Sequence, residues 1–135
     1  MKMLPPILLA GLVALAAPAL AEDQAFADPA DQFNKALHHL LGSQGEEKSP
    51  ERAVELFRDL AGRDFAAAQH MLGTLYEKGN GVDQDLAAAW YWYQRAANNG
   101  FASSQARLER IDRQLSDTQR QDATRQLVAQ GDEVF

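Results

Sequence analysis

The chain has 135 residues, carries 13 basic against 19 acidic side chains for a formal net charge of −6, and contains no cysteine. The missing sulfur excludes disulfides, a thiolate nucleophile, thiolate metal ligands and the lipid attachment that bacterial lipoproteins make just after their leader. The acidity repels phosphate backbones and anionic lipid heads, so neither nucleic acid nor a membrane surface is the expected partner.

The first residues read as an address. Lys2 gives a positive start, residues 7–17 are apolar, and Ala19-Leu20-Ala21 supplies the small residues of a signal-peptide cleavage site. The apolar run is shorter than the about 20 residues that a membrane-spanning helix needs. Residues 1–21 are therefore expected to be a signal peptide, short and rich in Ala and Leu as bacterial ones are. Cleavage after Ala21 would release a periplasmic or secreted protein with no stable membrane insertion. One domain is expected over 22–130, with a frayed tail over 131–135.

Past the leader the sequence repeats. Sliding it by 36 residues lays 31–72 over 67–108 without a gap. Gly45 falls on Gly81, Ala53 on Ala89, Phe57 on Tyr93, Ala61 on Ala97, Phe65 on Phe101, Gln69 on Gln105 and Leu72 on Leu108. A fixed period of this size marks helical hairpins, each burying an apolar face against the next. The predicted fold is all-α, a short α/α solenoid of about two and a half helix-turn-helix repeats plus a C-terminal capping helix. Repeat 1 covers about 30–65, repeat 2 about 66–101, and a half repeat with its cap about 102–130.

In repeat 1 a polar linker over 42–49 ends in Ser49-Pro50, an N-cap followed by a first-turn proline. In repeat 2 the first helix, helix A, is predicted over Ala66–Lys78 and ends in Gly79-Asn80-Gly81, where glycine tolerates the left-handed closing turn. Asp85 then caps helix B, which runs to about Asn98 before Asn99-Gly100 stops it. At about 100° per residue, Ala89, Trp92, Tyr93, Ala96 and Ala97 share one stripe, matched in repeat 1 by Ala53, Leu56, Phe57, Leu60 and Ala61. Opposite that stripe stand Glu55 and its equivalent Tyr91. A charged equivalent predicts an exposed Tyr91, with Trp90 at the boundary. The half repeat offers one helix over 101–115. Ser116-Asp117-Thr118-Gln119 then reads as a capping box opening a last helix. Ala123 and Leu127 share a face of that helix, which is expected to fold back over the final hairpin.

The run Gln69-x-x-Leu72-Gly73-x-x-Tyr76-x-x-Gly79-x-Gly81-Val82-x-x-Asp85, followed by Ala89-x-x-Trp92-Tyr93-x-x-Ala96-Ala97-x-x-Gly100, resembles the Sel-one-like repeat, a 36-residue relative of the tetratricopeptide repeat. Repeat 1 departs from the pattern, with Leu37 at the helix-A glycine, Leu40 at the tyrosine and Ser43 at the terminal glycine. The last unit places Glu109 and Asp112 at packing positions. Such departures suit end repeats, whose outer faces meet water. The resemblance implies a binding module whose parallel A helices line a concave groove. By position the groove candidates are Asn34, His38, His70, Thr74, Glu77, Arg110 and Arg113, with Tyr91 a separate contact candidate on the outer side of helix B.

Chemistry finds little to assemble. His38 and His39 diverge on one helix. His38 and His70 would both face the groove, but with no third ligand in place, so no metal and no cofactor are expected. Asp83 and Asp85 precede a helix whose free N–H groups they satisfy, and Glu46 and Glu47 belong to a polar linker. Gly79-Asn80-Gly81 lacks the lysine and serine of a phosphate loop. Ser103-Ser104 lacks a local lysine or histidine partner. Arg107, Arg110 and Arg113 recur every three residues with Glu109 and Asp112 interleaved, which predicts ion pairs within the helix; the functional alternative has Arg110 and Arg113 meeting an acidic peptide or a cell-wall carboxylate. The leading expectation is an exported adaptor or scaffold binding a protein or peptide of the cell envelope, not an enzyme. Its rivals are an envelope hydrolase or β-lactam-binding enzyme, which a fluorescent penicillin would label covalently, and a structural subunit that self-associates end to end.

Overall fold

A computed structural model describes residues 28–129, and every regular element among them is a helix. The expected signal peptide, its cleavage site and the tail over 131–135 lie outside the described residues. The helices are α1 (Pro29–Leu41), α2 (Pro50–Gly62), α3 (Ala66–Lys78), α4 (Leu86–Asn98), α5 (Ser103–Asp112) and α6 (Asp117–Ala129). Helices α1, α3 and α5 are the A helices of the sequence reading, and α2 and α4 are its B helices.

The helix ends are set by local chemistry. Asp28 opens α1 by accepting the Ala30 N–H at 2.8 Å, with Pro29 in the first turn. Ser49 and Asp85, one period apart, cap α2 and α4 by accepting the N–H groups of Arg52 and Ala88. Such caps contribute about 1 kcal/mol each. Gly42 and Gly79 close α1 and α3 in the left-handed conformation, at φ +70° and +67°. The terminal glycine of repeat 1 is thus Gly42, one residue before the position that Ser43 holds in the repeat pattern. Helix α5 is shorter than the 101–115 span predicted for it. Ala102 offers no capping side chain, and Gln114 and Leu115 both turn their N–H groups onto the Ile111 carbonyl. That turn tucks Leu115 into the core and delivers Ser116 to the start of α6. There the predicted capping box closes both ways, with Ser116 N–H on Gln119 Oε1 at 3.0 Å and Gln119 N–H on Ser116 Oγ at 3.2 Å.

Helices α1 and α3 each pack on their own B helix, and each B helix packs on the next A helix; α6 folds back onto α4. Two apolar clusters result. The first joins Ala36 of α1 to Val54, Phe57 and Leu60 of α2 and to Ala68, Leu72 and Leu75 of α3, with the Phe33 ring edge-on to Phe57 at 5.4 Å. The second joins Trp90, Tyr91 and Tyr93 of α4 to Leu108 and Ile111 of α5 and to Ala123 and Leu127 of α6. Leu127 is fully buried, and removing a leucine side chain from water contributes about 1.5–3 kcal/mol. One polar side chain crosses the interior between repeats. Gln69 is fully buried, donates from Nε2 to the Ala61 carbonyl at 3.0 Å, and accepts Asn99 Nδ2 on Oε1 at 2.9 Å.

Two expectations for α4 are corrected. Tyr91 is only 9% exposed and Trp90 only 5%. Helix α6 covers the outer side of α4, and the Arg95 guanidinium stands 6.0 Å from the Tyr91 ring centre. Glu55, the equivalent on α2, stays exposed as expected.

Candidate partner-binding face

The 36-residue register makes rungs across the three A helices. Asn34, His70 and Ala106 form one, His38, Thr74 and Arg110 the next, and Leu41, Glu77 and Arg113 the third. Along α3 the spacing of 70, 74 and 77 keeps its three side chains on one stripe. Two turns of α5 carry Arg107 and Arg110 opposite that stripe.

Tyr93 ties the face together from below. Its ring is fully buried on α3 at Gly73, where an added Cβ would stand 2.7 Å from ring carbons. A glycine is needed there because the ring occupies the space a side chain would fill. The hydroxyl emerges at the face and donates to Glu77 Oε2 at 2.7 Å. The Thr74 hydroxyl lies 3.0 Å from it and 3.2 Å from the His70 carbonyl, so its single hydrogen serves one of the two. Glu77 Oε1 pairs with Arg110, and Arg107 Nη1 stands 3.8 Å from Oε2. His70 lies against the rings of Tyr93 and Phe101, at 5.2 and 4.6 Å between centres, with Nδ1 2.8 Å from Ser104 Oγ.

This packing shifts two groups. Burial, and then the charge of Arg107, hold His70 below its usual value, against an opposing pull from Glu77. Burial pushes the Tyr93 hydroxyl up to about 12; the hydrogen bond and charge of Glu77 add to the rise, while Thr74 and Arg107 oppose it. Both groups are neutral at pH 7, so Glu77 and the arginines are the charges on this part of the face.

His70, Thr74, Glu77 and Arg110 are brought together. Asn34 is exposed on α1, and His38 turns to Ser43 Oγ at 2.9 Å in its own hairpin, while His70 turns to Ser104. The two histidines share no partner, and no group of three or more metal-ligating side chains stands together among the described residues. Arg113 is exposed on the rung of Glu77, its Nε on the Glu109 carbonyl at 3.2 Å. Tyr91 does not join the face; it lies under α6, its hydroxyl 3.4 Å from Arg95 Nη1.

The ion pairs predicted within α5 form between helices instead. Arg107 and Arg110 reach Glu77 of α3, and Asp112 takes Arg120 of α6 at 2.8 Å. The reason is proximity: Glu77 of α3 stands within reach of Arg107 and Arg110, and Arg120 of α6 within reach of Asp112. Sequence reasoning missed Tyr93, Ser104 and Arg107 as members of the site. One signal was present, since Glu77 and Arg113 share a register position with opposite charges.

The family model for the Sel1 repeat matches residues 29–59 and 66–101. Chitin synthase regulatory factor 3 of Schizosaccharomyces pombe is 39% identical over 72 residues, which are 53% of this chain and 8% of that protein. Chitin synthase regulator SKT5 of Saccharomyces cerevisiae is 37% identical over 62 residues, or 45% of this chain and 9% of that one. The chain therefore spans less than a tenth of either relative. Among solved structures, a protective antigen of uropathogenic Escherichia coli with an SLR fold superposes with a TM-score of 0.70 at 30% identity, covering 76% of this chain and 22% of the antigen. A Sel1 repeat protein from Oxalobacter formigenes superposes at 0.61 and 28% identity, covering 85% and 90%.

Proposed function

The chain belongs to the Sel1 repeat family, and from that premise we propose that it is an exported protein-binding module that grips a protein or peptide segment along the α1–α3–α5 face. One observation carries the reading. Three helices in one register carry Asn34, His38, Thr74, Arg110 and Arg113 at matching positions, while the buried Tyr93 ring and its hydroxyl's contacts with Thr74 and Glu77, which pairs with Arg110, hold the central side chains. A face whose side chains are already held loses less freedom when a partner arrives. The names of the two fungal relatives, regulators of chitin synthase, agree with work done through another protein. Export rests on the leader-like residues 1–21. It is tested by the mass of the mature protein, which should begin at Glu22 and appear in the periplasmic or secreted fraction.

The binding reading is tested by placing a photo-crosslinking residue at Asn34, at Arg113, or at Glu55 on the outer side of α2, in living cells. The expected result is one partner protein captured from Asn34 and Arg113 and not from Glu55. Equal capture from all three positions, or capture from Glu55 alone, would remove the α1–α3–α5 face from the mechanism.

A further inference from the structure

We infer that this face takes an extended acidic peptide, its carboxylates on the arginines of α5 and an apolar side chain on Leu41 of α1. The inference rests on the α1–α3–α5 face being the binding face and adds the chemistry of what binds there. Although the chain is acidic overall, α5 and the turn after it carry three arginines, Arg107, Arg110 and Arg113, with one carboxylate, Glu109, on the stripe of Arg113. Glu77 is the acid of α3 that meets these arginines, and it shows what the site accepts. Its carboxylate sits between the Tyr93 hydroxyl, Arg107 and Arg110. One carboxylate does not exhaust the donors. A guanidinium offers five N–H groups. Arg110 uses Nη2 on Glu77, and the terminal nitrogens of Arg113 meet no partner among the described residues. Arg110 and Arg113 are both exposed.

The other end of the face is apolar. Leu41, on the same rung as Glu77 and Arg113, is 68% exposed. The three A helices thus grade from leucine on α1 to arginine on α5. Exposed Asn34 and half-buried Thr74 lie between those ends and suit peptide N–H and C=O groups. An extended segment of about six residues, about 20 Å long, is the ligand length for the test.

The test uses the full-length mature protein and fluorescein-labelled peptides carrying a leucine and a pair of glutamates about six residues apart. Binding is read by anisotropy. The glutamate peptide should bind at least tenfold more tightly than its glutamine counterpart, and the difference should collapse as added salt shortens the screening length from about 10 to about 3 Å. R113Q should weaken binding several-fold with an unchanged melting temperature, because that side chain supports no carboxylate in the fold. E77Q should tighten binding by freeing Arg107 and Arg110, an effect that a purely structural Glu77 would not produce. Replacing the peptide's leucine by serine should weaken binding again. Glutamate and glutamine peptides binding alike, or R113Q binding as wild type does, would overturn the inference. An oligouronate competing as well as the peptide would overturn it too, by showing a sugar carboxylate to be the ligand. Continued photo-capture from Asn34 and Arg113 in any of those cases would leave the module reading in place.

Discussion

Gly73→Ala is the change that bears most directly on how this face is built. Taken alone, glycine to alanine inside a helix should stabilise it by about 0.8–1 kcal/mol. Here the new Cβ would stand 2.7 Å from Cδ1 and Cε1 of Tyr93 and 2.9 Å from Cγ. Such contacts are well inside the 3.5–4.0 Å at which carbon atoms rest, so the ring must move by roughly 1 Å. It has little room, being fully buried, and its hydroxyl is tied to Glu77 and Thr74. Overpacking costs about 1–3 kcal/mol, and weakening two hydrogen bonds adds about 1 kcal/mol. The net expectation is a loss of about 2 kcal/mol, or a melting temperature lower by about 10 °C for a domain of this size. Thermal unfolding by circular dichroism measures it. The same alanine in a Tyr93→Leu background should be neutral or stabilising, so a double-mutant cycle should return a coupling of about 2 kcal/mol. A Gly73→Ala protein melting at or above the wild-type temperature, or a cycle without coupling, would refute the steric argument.

Gln69→Leu keeps the volume but removes a bond to the Ala61 carbonyl, which keeps the Asp64 N–H, and the acceptor of the exposed Asn99 amide; a cost of about 1–2 kcal/mol should lower the urea midpoint without changing the slope. Ser116→Ala removes half of the capping box and should cost about 1 kcal/mol, seen as faster amide exchange in α6 and altered fluorescence of Trp90 beneath it. His70 has a folded pKa below its ordinary 6.5, so the unfolded chain binds that proton more readily. The stabilising contribution is complete above about pH 6.5 and is lost as pH falls from there to the lowered value. Urea midpoints taken from about pH 7.5 down to about pH 5 should decline less steeply in a His70→Gln variant, and parallel curves would contradict the assignment.

The repeat was legible because its punctuation is chemical. Ser49 and Asp85 are unrelated side chains performing the same capping act one period apart, and Ser116 with Gln119 closes in the way the spelling suggests. Burial on α4 was less legible. A helical wheel reports one preferred face, but α4 is packed by α3, α5 and α6 at once, and Tyr91 is covered by the last of these. Repeat 1 held a partial warning: the equivalent of Trp90 is Val54, buried and apolar, while Glu55 remains wet because α6 lies over α4. The candidate face was legible as positions and not as connections. Register put Glu77 on the rung of Arg113, yet which arginines reach it depends on how far α3 and α5 approach, a distance no local pattern encodes. Tyr93 was read as core, which its ring is. That its oxygen would surface beside Glu77 follows from the glycine it lies on.

The way α6 closes the stack also constrains how such a protein can lengthen. Its inner face is spent on α4 through Ala123 and Leu127, and its outer face carries Asp122, Arg125 and Gln126, with Val128 the apolar exception. A further hairpin appended behind it would meet charge and water. The turn at Asp64 and Phe65 is different, because a B helix ends there and an A helix begins. A duplicated unit inserted at that joint would find the surfaces it needs on both sides and add one rung to the face. Growth by internal copying, with both end pieces kept, is therefore the cheap evolutionary route for this architecture, and the practical one for anyone who wishes to build a longer version.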